Sequence, residues 1–149
     1  MKIIIEKILY NYLKISYYYI NKMNIIKNKF LRDLPFEKRF ETIKELKEKH
    51  PDRVPLMITD ENKKNKPLKL LVPSDLTIMN VLVIIRRRVQ LNQEEGIYLF
   101  ADKYKNKNDN KQKESILCNS SETVSSVYYN CKDDDGMLYM TYYKENVFG

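Results

Sequence analysis

Glycine is almost missing from this 149-residue chain: only Gly96, Gly136 and Gly149 occur, too few and too far apart for a glycine-rich phosphate loop. There is no tryptophan and a single histidine, His50, which falls at the end of a predicted helix. No Ser/His/Asp arrangement, paired-carboxylate site or metal-ligating cluster can be assembled with specific spacing, so the chain does not read as an enzyme and no cofactor is expected. The two cysteines, Cys118 and Cys131, lack metal-like spacing and fit a reducing compartment better than a disulfide scaffold. Long apolar runs are absent too. Glu6, Lys7 and Lys14 interrupt the first thirty residues, leaving no span of roughly twenty apolar residues to cross a membrane. No small-residue cleavage site follows that segment, which argues against a secretory signal.

What is present describes one globular domain with an appended segment: 43% hydrophobic and 32% charged residues. The net charge of +7 and pI near 9.2 suggest an anionic partner, whether nucleic acid, anionic lipid or acidic peptide. Ile, Lys, Asn and Tyr are heavily used, as an AT-rich coding sequence imposes, so part of the lysine excess is compositional. In residues 1–30, Lys7, Asn11 and Lys14 share one helical face and Ile5, Ile8, Leu9 and Tyr12 another. Three readings of this extension stand side by side: an amphipathic helix on a membrane or partner, a disordered arm, or a start at Met23.

From residue 31 the chain reads as a second unit, 31–149. Pro35 opens a helix with Phe36, Phe40, Ile43 and Leu46 on its apolar stripe, and Pro51 stops it. Arg53–Thr59 and Leu68–Val72 form a hairpin in which Pro55 implies an edge position or a bulge. A Ser74 or Asp75 cap precedes a helix over Leu76–Gln90, whose Arg86, Arg87 and Arg88 complement its dipole. Ile97–Ala101 is a strand, and the lysine- and asparagine-rich Lys103–Glu114 is a disordered loop with no aromatic interleaving for nucleic acid. A Ser120/Ser121 cap introduces a short helix over Val124–Cys131, and Met137–Tyr143 is the last strand. Lys144–Gly149 is predicted to hang free. A terminal glycine on such a tail has no Cβ to obstruct a narrow enzyme channel and presents an unhindered carboxylate. The order is that of an α+β ubiquitin-like β-grasp, a four-stranded mixed sheet with a crossing helix, preceded by an N-terminal helix or helices.

The motifs P-F-E-K-R at Pro35–Arg39, H-P-D-R-V-P at His50–Pro55, L-V-P-S-D-L-T at Leu71–Thr77 and I-R-R-R at Ile85–Arg88 resemble the autophagy ubiquitin-like modifier family. The resemblance continues through D-D-D-G-M-L-Y-M-T-Y at Asp133–Tyr142 to the closing E-N-V-F-G, and covers Leu34 to Gly149 apart from two loops. It implies conjugation of Gly149 to phosphatidylethanolamine by an activating and a carrier enzyme, and removal by a cysteine protease. It also implies a cytoplasmic protein that becomes anchored on autophagosomal or related membranes, a plastid membrane included, with no role for nucleic acid.

Receptors carrying an aromatic-x-x-aliphatic motif are implied to add a strand beside Lys69–Val72. Leu46, Pro55, Leu71 and Met137 would line the aromatic pocket. Leu70, Pro73, Leu76, Val81, Ile84 and Ile85 would line the aliphatic one, and Arg53, Lys69 and Arg88 would meet flanking acidic residues. Helical spacing alone would instead put Leu46, Ile84 and Ile85 in the core. Thr42, Val81 and Met137 depart from the family pattern, the first hairpin loop is short, and the Lys103–Glu114 insertion is extra. Attachment to a protein lysine and an unconjugated peptide-binding module remain as alternatives to the lipid-linked modifier.

Overall fold

A parallel pair of strands at the centre of one sheet organises the molecule. The computed structural model describes residues 31–92 and 94–145, so the expectations for residues 1–30 and for Gly149 lie outside it. A short 3-10 turn at Leu31–Asp33 leads into α1 (Phe36–Lys49), β1 (Arg53–Asp60), β2 (Leu68–Pro73), α2 (Ile78–Arg88), β3 (Ile97–Tyr104), β4 (Lys113–Leu117), α3 (Val124–Cys131) and β5 (Leu138–Lys144). The β-grasp order is there, but the sheet has five strands rather than four, in the order β2-β1-β5-β3-β4. β1 and β5 run parallel, and the other neighbours are antiparallel.

Alternation along the strands sorts the side chains onto two faces. Leu56, Ile58, Leu70, Val72, Leu99, Ala101, Leu138 and Met140 meet Ile78, Val81, Ile84 and Ile85 of α2 and Val124, Val127 and Cys131 of α3. On the opposite face Met57, Met137 and Tyr139 pack on Ile43, and Leu71 on Leu46, both from α1. Pro55 does not sit on an edge strand, because β1 lies between β2 and β5. It is tolerated because β1 pairs with β5 only from Leu56 onward, so the missing N–H costs no bond on that side.

Helix starts differ from the sequence reading for an identifiable reason. α2 is capped by Thr77, whose hydroxyl accepts from Asn80 N while Asn80 Oδ1 accepts from Thr77 N, a reciprocal capping box. Thr123, rather than Ser120 or Ser121, caps α3. The backbone just before each cap is used elsewhere: Val124 N donates to Leu76 O at 2.7 Å and Ile78 N to Glu122 O at 2.9 Å. These two bonds tie the starts of the helices together.

In α1 the buried face is Arg39, Ile43 and Leu46, whereas Phe40, assigned to the stripe, is exposed and stacks on Phe36. A charged residue occupies the inward position because it is fully partnered. Arg39 Nε meets Asp135 Oδ2 at 2.9 Å, Nη1 donates to Leu34 O at 2.6 Å and Nη2 to Lys107 O at 2.8 Å. Seven residues before Arg39, Arg32 Nη1 meets Asp133 Oδ1 at 3.0 Å, Nη2 donates to the carbonyls of Asn106 and Asp109, and Nε to Asn110 Oδ1. Its guanidinium lies 3.9 Å from the Tyr104 ring centroid.

These contacts change the reading of the Lys103–Glu114 insertion. It is not a loop throughout: its ends belong to β3 and β4, Lys105 N donates to Gln112 O, and two arginines fill the carbonyl-lined turn between. The turn Asp133–Gly136 completes the arrangement. Asp135 accepts from Met137 N and the Tyr139 hydroxyl, and Asp133 accepts from Asp135 N. Gly136 has φ +92, and a Cβ there would lie 3.0 Å from Ile43 Cγ2, so the turn needs glycine for both conformation and space.

Removing one partner of a buried pair leaves the other charge stranded, so Arg39→Ala is expected to cost about 3–5 kcal/mol in urea unfolding. Burial, reinforced by the Asp135 charge and opposed by Arg32, pushes the Asp133 carboxyl up to about 6. A carboxyl raised on folding stabilises the protein below its ordinary value and loses that contribution as pH rises through its folded value. Relative to Asp133→Asn, the wild type is therefore expected to gain melting temperature as pH falls from 7 to 4. A flat difference would contradict this.

Candidate functional site: the β2 edge and the root of the tail

Hydrogen-bond parity decides which backbone groups of β2 face outward. Ser74 N donates to Asp52 O, and the register runs Val54↔Val72 and Leu56↔Leu70, so Leu68, Leu70 and Val72 turn their backbone groups toward β1. Lys69, Leu71 and Pro73 turn theirs outward, and Pro73 has no N–H. The outward-directed donors of β2 are therefore those of Lys69 and Leu71. Arg53 Nη1 donates to the outward carbonyl of Leu71 at 3.3 Å, so a side chain of β1 reaches around to that edge.

Beside this edge the aromatic-pocket candidates only partly assemble. Leu46 packs on Leu71, and Pro55 is the cross-strand partner of Leu71. Met137 belongs to the neighbouring group with Ile43, Met57 and Tyr139. All four are buried. Among the aliphatic candidates, Leu70, Val81, Ile84 and Ile85 sit in the main core together with Val72, whereas Pro73 and Leu76 are half-buried at the surface. Core packing thus accounts for Leu70, Val81, Ile84 and Ile85 without any ligand. Lys69 is half-buried, and desolvation holds its amine below the usual lysine range. Arg88 is exposed in the last turn of α2.

The tail leaves the sheet on the far side of β1. Lys144 is still part of β5 and pairs with Ile97, and Glu145 N donates to Gly96 O at 2.8 Å, so the tail is held two residues further than the sequence suggested. Tyr98 Oη donates to Glu145 Oε1, and Lys144 Nζ lies 3.7 Å from Glu95 Oε2. Gly96, Tyr98 and Glu95 were missed by the sequence reading. The only signal for them is a lone glycine just ahead of a strand. Among the described residues no group of His, Cys, Asp and Glu could hold a metal ion, and no helix is long and apolar enough to cross a membrane.

A mixed sheet with a central parallel pair, a crossing helix and an extended C-terminal strand defines the ubiquitin-like class. Comparison with known proteins narrows this. A family profile described as "Autophagy protein Atg8 ubiquitin like" matches residues 38–149. The chain is 39% identical over 124 residues to autophagy-related protein 8e of Arabidopsis thaliana, covering 80% of this chain and 92% of that one. It is 34% identical over 128 residues to autophagy-related protein 8 of Coccidioides immitis (strain RS), covering 83% and 99%. The crystal structure of Trypanosoma brucei ATG8 superposes with a TM-score of 0.60 at 32% identity, covering 78% of this chain and 93% of that one. The chain belongs to the Atg8 family of autophagy ubiquitin-like proteins.

Proposed function

We propose that the protein is conjugated through Gly149 to phosphatidylethanolamine and, on the membrane, receives aromatic-x-x-aliphatic receptor peptides along β2. Family membership and the β5 strand leading into the Gly149 tail support the first half. The observation that carries the second is the place of β2 at the end of the strand order, with the Lys69 and Leu71 N–H groups directed away from β1 beside the Leu46–Leu71 pair.

In the first half the protein is the substrate. ATP adenylates the Gly149 carboxylate with release of pyrophosphate, and the activating enzyme's cysteine thiolate displaces AMP to form a thioester. A carrier cysteine takes over the acyl group by thioester exchange. The lipid amine then attacks the thioester carbonyl, the amide forms, the thiol leaves and the amine gives up its proton. A cysteine protease reverses the linkage by hydrolysis.

In the second half an extended peptide pairs with Lys69 and Leu71. Its backbone N–H takes the Leu71 carbonyl that Arg53 now occupies, and the displaced guanidinium turns to an acidic residue of the peptide. Lys69 and Arg88 supply further charge, Leu46, Pro55 and Met137 border the aromatic residue, and Pro73 and Leu76 border the aliphatic one. Because Leu46 and Leu71 pack tightly without a ligand, the aromatic side chain must part them.

Two outcomes are expected. Mass spectrometry of the C-terminal peptide from membrane-associated protein gives a phosphatidylethanolamine adduct on Gly149, abolished by Gly149→Ala. A branched peptide to a lysine would move the protein to the protein-conjugate class, and a free carboxylate on every copy would remove conjugation. For the groove, Lys69→Pro deletes an outward donor without breaking the β1–β2 ladder, so it is expected to weaken an aromatic-x-x-aliphatic peptide at least about tenfold in titration calorimetry, with the amide shifts of β1 retained.

A further inference from the structure

The insertion moves the far edge of the sheet from β3 to β4. β4 ends the strand order on the side away from β2, and all five of its residues are exposed, Leu117 at 57% and Ile116 at 37%. Lys105 N donates to Gln112 O and Cys118 N to Leu99 O, so Gln112, Glu114, Ile116 and Cys118 turn their backbone groups toward β3. Lys113, Ser115 and Leu117 turn theirs outward, where no strand lies among the described residues.

Natural edges are blunted by proline, bulges, brevity or charge. The β3–β4 register is continuous from Phe100↔Leu117 to Tyr104↔Lys113, no proline interrupts it, and the last two residues are apolar. The edge is also rigid, because Arg32 and Arg39 hold the turn that leads into it through three backbone carbonyls and the Asn110 side chain. A strand fixed in advance loses little conformational entropy on pairing.

We infer that β4 is a second peptide-docking edge, independent of β2, for an extended segment that pairs antiparallel with apolar residues in its first half and acidic residues in its second. The polarity follows from charge. The N-terminal end of β4 is flanked by Lys103, Lys105, Lys111 and Lys113, of which Lys113 also lies 3.8 Å from the buried Asp102. The C-terminal end carries Ile116 and Leu117, and Leu117 stands opposite Phe100, whose ring meets Tyr143 edge-on at 5.1 Å. An antiparallel partner begins over this apolar end and finishes against the lysines. A second copy fits less well: a two-fold axis at Ser115 would set each Lys113 against Leu117 and each Glu114 against Ile116. The inference does not depend on conjugation of Gly149.

The test uses the full isotope-labelled chain and the synthetic peptide acetyl-T-V-T-V-S-D-E-D-amide as probe. Saturable amide shifts at Lys113, Ser115 and Leu117, with residues 68–73 unmoved, are expected. Replacing the acidic residues of the probe by lysine should weaken it about tenfold or more. Ser115→Pro removes an outward donor and should abolish binding, Ser115→Ala should retain it, and both should keep binding at β2. Should the proline variant fail to fold, Leu117→Lys is expected to weaken the probe through the side-chain contact alone. Absent shifts, shifts confined to residues 68–73, equal binding of the lysine probe, or the same amides moving on dilution without peptide would each overturn the proposal.

Discussion

The buried pairing of Arg39 with Asp135, doubled by Arg32 with Asp133, is the contact on which the rest of the structure depends. Arg39 reaches three separate parts of the chain, the segment before α1, the Asp133–Gly136 turn that starts β5 and the β3–β4 turn, and Arg32, itself in that segment, reaches the last two. Two charges taken out of water at one place give little net stability even when well paired. What they give is geometry. They fix the side of α1 that faces the sheet and the point at which β5 enters it. They also turn a lysine-rich insertion into a hairpin. Buried donors and acceptors on every side of each guanidinium make the arrangement all-or-none, since any missing partner strands a desolvated charge.

A second constraint is the parity of the ladders. Proline at positions 55 and 73 is compatible with the hairpin because both lie at positions that do not bond across the β1–β2 pair. That parity leaves Lys69 and Leu71 as the outward donors of β2, the short stretch proposed to receive a peptide. Arg53 reaches back to donate to the Leu71 carbonyl on that edge.

The sequence carried the fold because the fold rests on local signals: proline stops, helical spacing in α2, and alternation in β5 were all readable. The misses share a cause. Phe40 was placed on the buried stripe and Arg39 left out of it because hydrophobic periodicity has no way to register a charged residue satisfied by partners 96 residues away in Asp135 and 68 away at Lys107. The hairpin was read as a loop for the same reason, since lysine and asparagine carry little strand propensity and the order comes from distant arginines. Thr77 and Thr123 were passed over for nearby serines because the choice of cap depends on which carbonyls the facing helix start consumes. At the β2 edge the motifs were legible, and their geometry was not: Leu70, Val81, Ile84 and Ile85 are placed by burial, and only Pro73 and Leu76 reach the surface.

That last point bears on how such a groove works. Deep core residues beneath a binding edge contribute shape without offering contact area, so truncating one of them lowers fold stability and peptide affinity together. The Leu46–Leu71 pair sits at the boundary between the two roles, since it closes the α1 side of the sheet when the edge is empty. An aromatic residue entering there exchanges one apolar contact for a larger one, and the net gain is the additional apolar surface removed from water. Because α1 is itself fastened through Arg39, the ease of opening the groove and the integrity of the buried ion pairs are set by the same helix.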